Sequence, residues 1–257
     1  MTLIDTLKRP GAIRIDFQPM LCVGNGRPRL YALEALARGP RGSNVERPDV
    51  LFEYARRKGE ESQVDSICIA EALASAATLP GKPRISMNVH GSTLGNVPHF
   101  AEHFLDAAES YEIAPERLML EIVEHRAPWT MESFQTTLAI LRDGGVRIAV
   151  DDLGVGASNF RMIVDCRPDH LKVDRYIAHG CSRDPVRAAV IASIVSLAGA
   201  IGARPIVEGI EHEDDLDVVI GVGVDIIQGF LFAPAMPASE LAQTAYLEPP
   251  ITPKGVQ

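Results

Sequence analysis

The chain has 257 residues, 46% of them hydrophobic and 23% charged, and its 25 basic and 34 acidic side chains leave a net charge of −9. It is too apolar for a disordered polymer, too poor in Gly and Pro for a low-complexity one, and too acidic to hold a nucleic-acid polymer through a basic face. One large domain is the natural reading at this length, with two small ones as the alternative.

Residues 1–17 alternate apolar side chains with Asp, Lys and Arg and lack the apolar stretch of a signal peptide, which points to a cytoplasmic protein. Short apolar runs then recur along the chain. They predict strands over 17–22, 29–36, 84–89, 117–123, 147–151, 170–174, 204–208 and 225–228. Between them, apolar residues at three- and four-residue spacing predict helices over 48–58, 61–79, 98–111, 130–143, 184–200 and 212–221. Alternating strands and helices imply βα units, and eight such strands favour a modified (β/α)8 barrel of the TIM type.

The first connection breaks that pattern. Only six residues, 23–28, separate strands one and two, too few for a parallel crossover, and Asn25-Gly26 signals a tight turn. The first strand is therefore expected to run antiparallel. Residues 1–16 are expected as an N-terminal extension, 17–247 as the barrel and the Pro-rich 248–257 as a flexible tail. The stretch 188–203 is sixteen uncharged residues, short of the roughly 20 that a membrane span needs, and reads as a buried or interface helix. Cys22, Cys68, Cys166 and Cys181 are widely spaced with no C-x-x-C pair and read as free thiols.

Barrel enzymes place their chemistry at the C-terminal ends of the strands. Here those strands deliver Glu34, Asn88, Glu121, Asp151-Asp152, Lys172, Glu208 and Gln228 in turn. Five carboxylates and one ammonium give a bare site a charge of −4, which two divalent cations would neutralise. Oxygen donors without Cys or His favour Mg²⁺ or Mn²⁺. A pair of such ions bridged by Asp151 or Asp152 can activate water and clamp a phosphodiester. A single strand-end Glu is usually a solvated rim residue, and Asp-Asp before Gly is often a turn. It is the repetition over seven consecutive strands that argues for function. Lys172 could alternatively form an imine as in aldolase-type barrels, although the surrounding carboxylates would raise its pKa and oppose that role. The Gly154-Val155-Gly156 loop that follows reads as a cover over the metals.

These residues fall in ordered motifs: Glu34-Ala35-Leu36-Ala37-Arg38, Met87-Asn88-Val89, Leu120-Glu121-Ile122-Val123-Glu124, Asp151-Asp152-Leu153-Gly154-Val155-Gly156, Leu171-Lys172-Val173-Asp174, Val207-Glu208-Gly209-Ile210-Glu211 and Gln228-Gly229-Phe230. In this order they resemble the EAL-domain cyclic-di-GMP phosphodiesterases, from about Phe17 to Pro237. The resemblance implies a barrel with one reversed strand, two Mg²⁺ or Mn²⁺ ions and hydrolysis of cyclic di-GMP to linear pGpG. It assigns Glu34, Asn88, Glu121 and Asp151 to one ion and Asp151, Asp152 and Glu208 to the other. Lys172 and Gln228 are to orient or deprotonate the attacking water, with Glu208 as a competing base. Arg38 is to take a substrate phosphate and Leu36 to line the pocket, with Asp152 and Glu211 also on the substrate side, Glu211 as a support. Glu124 is to anchor the glycine loop.

The loop departs from the family pattern at Ala157-Ser158-Asn159, and 38–43 lacks the usual aromatic that contacts guanine. The resemblance further implies a homodimer through the helix near 158–166, and regulatory protein partners are expected because the 16 or so residues before strand one are too few for a sensory segment. Its alternative is a receptor or protein-interaction module that binds cyclic di-GMP without cleaving it.

Overall fold

A computed structural model of the chain describes residues 2–24, 27–123, 130–155 and 159–247. In chain order its elements are α1 (Leu3–Leu7), β1 (Arg14–Cys22), β2 (Arg29–Arg38), α2 (Pro48–Lys58), α3 (Glu61–Ala77), β3 (Ile85–His90), α4 (Gly91–Asn96), α5 (Phe100–Ser110), β4 (Leu118–Val123) and α6 (Met131–Asp143). There follow β5 (Arg147–Leu153), α7 (Asn159–Cys166), β6 (His170–Val173), α8 (Arg175–Ala178), α9 (Pro185–Ile201), β7 (Arg204–Val207), α10 (Glu213–Gly221), β8 (Ile226–Gln228), β9 (Met236–Pro237) and α11 (Ala238–Leu241).

Strands β2 to β8 pair in sequence and in parallel, and β1 closes the barrel by pairing antiparallel with both β2 and β8. The reversed first strand is therefore present, while the Asn25-Gly26 turn lies outside the described residues, as do Glu124, Gly156-Ala157-Ser158 and the tail 248–257. Strand β1 begins at Arg14, three residues before the expected start, and pairs there with Arg38 at the extended end of β2. Of the residues 1–16 expected as an extension, Ile4, Leu7, Ile13 and Ile15 join the main core. A capping box fixes the start of α1, with Thr2 and Asp5 exchanging side-chain-to-backbone hydrogen bonds.

Helix α4 was not expected, because Gly91 and Gly95 are poor helix formers. Its buried hydroxyls are satisfied from α3, where Ser92 donates to Glu61 at 2.6 Å and Thr93 donates to Asp65. Of the helices among the described residues, none is long and apolar enough to cross a membrane.

Inside the barrel, side chains stack in layers two residues apart along each strand, as strand alternation requires. Met20, Ala32, Met119, Ala149, Ile206 and Ile226 form one buried apolar cluster. Two residues toward the N-terminal mouth from Ala149 and Ile206 stand Arg147 and Arg204. Two residues toward the C-terminal mouth from Ala32, Met119, Ala149, Ile206 and Ile226 stand Glu34, Glu121, Asp151, Glu208 and Gln228. The apolar layer is thus the floor on which the polar residues sit.

Candidate active site

Lys172 is the largest fully buried polar side chain of the barrel, and four carboxylates surround its ammonium. Its Nζ pairs with Glu121 Oε2 and Glu208 Oε1 and lies 3.3 Å from Asp151 Oδ1 and 3.7 Å from Glu34 Oε1. The register explains the assembly. Glu34 pairs with Ser86 across β2 and β3, and Asn88 with Glu121 across β3 and β4, so alternate positions on adjacent strands meet on one face.

Further hydrogen bonds orient these groups. Asn88 Nδ2 donates to Glu34 Oε1 at 2.8 Å, and Gln228 Nε2 donates to Glu34 Oε2 at 2.7 Å. Ser86 donates to Glu121 Oε1. Gln228 Nε2 also reaches Gln18 Oε1 at 3.1 Å, while Gln228 Oε1 is buried without a hydrogen-bond partner among the described residues. Ser86 and Gln18 escaped the sequence reading, although both lie at alternate positions from a site residue on their own or the paired strand.

Asp151 and Asp152 are neighbours in a strand and would ordinarily face opposite sides. A bulge resolves this: three steps along β5 from Val150 to Leu153 match two along β6 from Leu171 to Val173. Asp152 takes φ +55°, and both carboxylates line one cleft of about 390 Å³ with Leu36 and Asn88. Strain of this kind at a non-glycine residue persists only where its surroundings impose it.

The electrostatics show a surplus of negative charge. Burial, followed by repulsion from neighbouring carboxylates, pushes Glu121 well above the usual carboxylate range. Burial likewise raises Glu208 and Asp151, and it lifts Asp152 to about 6 with Asp151 adding to the effect. Glu34 stays below its ordinary value despite burial, because Lys172 and the Gln228 and Asn88 amides favour its anion. Burial disfavours the Lys172 ammonium, but the four carboxylates override it and hold the ammonium well above its ordinary pKa.

This donor set fits hard divalent cations. Glu34, Glu121 and Glu208 each bring one oxygen to within 4.8 Å of the others, and every donor is oxygen. Asn88 and Gln228 use their amide nitrogens within the protein, which leaves their carbonyl oxygens for an ion or water.

Two expected substrate residues lie apart from Lys172. Arg38 Nε donates to Asp16 Oδ2 at 2.9 Å, a partner the sequence reading missed although Asp16 alternates with Gln18 along β1. Glu211 pairs with Arg175 at 2.7 Å and stands with His179 and His212.

The comparisons with known proteins agree with this architecture. The model of the EAL domain matches residues 4–235. The cyclic di-GMP phosphodiesterase RocR of Pseudomonas aeruginosa is 34% identical over 233 residues, covering 88% of this chain and 58% of RocR. The blue light- and temperature-regulated antirepressor BluF of Escherichia coli is 24% identical over 209 residues, covering 80% of this chain and 51% of BluF. Among solved structures, Klebsiella pneumoniae BlrP1 in a calcium and cyclic-di-GMP complex superposes with a TM-score of 0.75 at 26% identity, covering 88% of this chain and 56% of that one. A manganese and cyclic-di-GMP complex of BlrP1 matches similarly, with a TM-score of 0.74 at 26% identity, covering 89% of this chain and 57% of that one. The chain spans 28% to 58% of the length of the first curated relatives it matches. With its motifs gathered around Lys172 in a barrel of this topology and the family model matched over most of its length, the chain belongs to the EAL domain family.

Proposed function

We propose that this chain hydrolyses cyclic di-GMP to linear pGpG with two divalent cations of the Mg²⁺ or Mn²⁺ type. The observation that carries the proposal is the cluster of three buried carboxylates and the partly buried Glu208, whose single cation among the described residues, Lys172, leaves them short of positive charge. The activity in the name of RocR and the calcium, manganese and cyclic di-GMP in the BlrP1 complexes support the same reading.

Glu34, Asn88, Glu121 and Asp151 would hold one ion, and Asp151, Asp152 and Glu208 the other. When bound, such ions neutralise phosphodiester charge and lower the pKa of a water. Lys172 is kept protonated by its carboxylates, so its Nζ donates to and orients the attacking water rather than taking a proton from it. Gln228 Oε1, lacking a partner among the described residues, accepts from that water. The general base then falls to Glu208, which is more open than Glu34, Glu121 or Asp151 and whose carboxyl burial pushes well above its ordinary range. Asp16 aligns Arg38 through Nε, which leaves the rest of the guanidinium fork for a substrate phosphate. Leu36 and Asp152 line the cleft that would receive a base.

A homodimer belongs to this reading: Phe160 and Val164 on α7 are 75% and 72% exposed, a pair of large apolar side chains one turn apart. Glu124 as anchor of the loop, and regulatory protein partners, belong to it as well.

Purified protein incubated with cyclic di-GMP and either Mg²⁺ or Mn²⁺ should release pGpG on chromatography, and Glu34→Ala should abolish turnover together with metal uptake. Binding without cleavage under both metals would favour the alternative of a receptor or protein-interaction module, and the antirepressor relative supports its protein-interaction form.

A further inference from the structure

Beyond Glu208 the chain turns through 209–212 into α10, and three metal-ligating side chains converge there. His179 follows α8, Glu211 lies in the turn, and His212 is the residue before the first turn of α10. One ligand atom from each lies within 4.8 Å of the others.

The imidazoles of His179 and His212 have centroids 5.8 Å apart and are tilted by 48°. Two imidazoles on one tetrahedral ion hold their centroids about 5 Å apart, given Zn–N bonds of about 2.0–2.1 Å. Small rotamer adjustments close the difference, since His212 is exposed and the other two are half-buried.

A second observation points to a ligand. His179 Nδ1 is shielded from solvent yet makes no hydrogen bond among the described residues. A shielded imidazole nitrogen without a partner costs free energy unless something ligates it.

The backbone around the trio is fixed independently of any ion. Asp215, on the first turn of α10, accepts from Gly180 N at 2.9 Å, Ser182 N at 2.9 Å and Ser182 Oγ at 2.7 Å. These bonds hold the anion well below its usual range, at about 2, against the opposing effect of burial. The segment carrying His179 is therefore tied to the helix that carries His212.

Charge and access suit a cation. A cleft of about 480 Å³ opens beside Glu211 and His212 and is also lined by Glu213 and Asp214, with Arg183 opposing. Arg175 occupies one oxygen of Glu211, but a carboxylate has about four lone-pair sites and is not saturated by one guanidinium.

The geometry points to a second metal site at His179, Glu211 and His212 that takes a borderline transition ion of the Zn²⁺ class. Two imidazoles and one carboxylate are a set that Zn²⁺ uses when one position stays open to water. The all-oxygen cluster at Lys172 favours harder ions, so one chain would sort two kinds of cation by donor type. The inference does not depend on hydrolysis of cyclic di-GMP.

The test is Zn²⁺ titration of metal-stripped full-length chain by calorimetry in excess Mg²⁺, with His ring signals followed by NMR. Wild type should take up one Zn²⁺ more than the His179→Gln/His212→Gln double variant, and the His179 and His212 signals should move together. The single His212→Gln change, at an exposed position, should weaken that step by at least the roughly 100-fold that loss of an outer-sphere partner can cost. Glu34→Gln should leave the step in place. Equal Zn²⁺ stoichiometry and affinity in wild type and in folded His212→Gln would overturn the site, as would unmoved His179 and His212 signals.

Discussion

Lys172 organises the site by being the one cation, among the described residues, between the buried Glu34, Glu121 and Asp151 and the partly buried Glu208. Removing one partner of a buried ionic cluster leaves uncompensated charge, at a cost of about 3–5 kcal/mol. Lys172→Met should therefore lower the thermal midpoint sharply in chelator, and saturating Mg²⁺ should recover part of the loss, because the ion supplies the missing positive charge. Equal stability of wild type and variant in chelator would contradict this account. The residues of this cluster were all legible in the sequence, since a Glu, Asp or Lys inside an apolar run has few bland explanations when it recurs on five strands. Asp16, Gln18 and Ser86 were less so, because a single polar residue in a strand reads equally well as the solvent face. Only the pairing of β1 with β2 and β8, and of β3 with β4, turns them toward Arg38, Gln228 and Glu121.

Elements show the same division. The strands and long helices were readable because their apolar periodicity spans several turns or pairs, whereas α1 is five residues long and α4 carries two glycines. Both form because tertiary contacts supply what local propensity lacks. Leu7 is 1% exposed and belongs to the main core, so Leu7→Ala should destabilise the chain by about 2–5 kcal/mol in urea unfolding. A change below about 0.5 kcal/mol would return residues 1–16 to the status of an appended segment. The bulge in β5 was not readable either. Sequence placed Asp151 and Asp152 side by side, but only the extra residue against β6 brings both carboxylates to one cleft.

At the scale of the whole barrel, an acidic mouth is separated by an apolar layer from a basic one. Near the N-terminal mouth, Arg84 and Arg204 lie 4.9 and 5.0 Å from the ring centroid of Tyr31, whose hydroxyl meets His170 Nε2 at 2.5 Å. Burial, then Arg147, Arg204 and Arg84, hold His170 neutral down to about 3. In the unfolded chain the same imidazole protonates near 6.5. Between those values the unfolded state binds the extra proton, so this contribution to stability is complete above about pH 6.5 and is lost as pH falls toward 3. His90 works the other way: burial opposes its charge, but Asp65 at 2.8 Å raises its pKa, and its contribution is present below about 6.5 and lost at higher pH. Urea unfolding across pH 7 to 4.5 should show a shallower acid loss in His170→Gln than in wild type, and parallel curves would contradict the assignment.

The net charge of −9 excluded a basic nucleic-acid face but said nothing of how charge is distributed. Strand order, the reversal of β1 and the identity of the clustered carboxylates followed from the sequence, because each depends on local periodicity, loop length or residue type. The meeting of β2, β4, β5 and the turn after β7 on the ammonium carried by β6, the pairing of Arg38 with Asp16 and the trio of His179, Glu211 and His212 were decided by the tertiary structure. Those contacts join residues far apart in the chain, and barrel closure sets the register and the bulges that bring them within bonding distance.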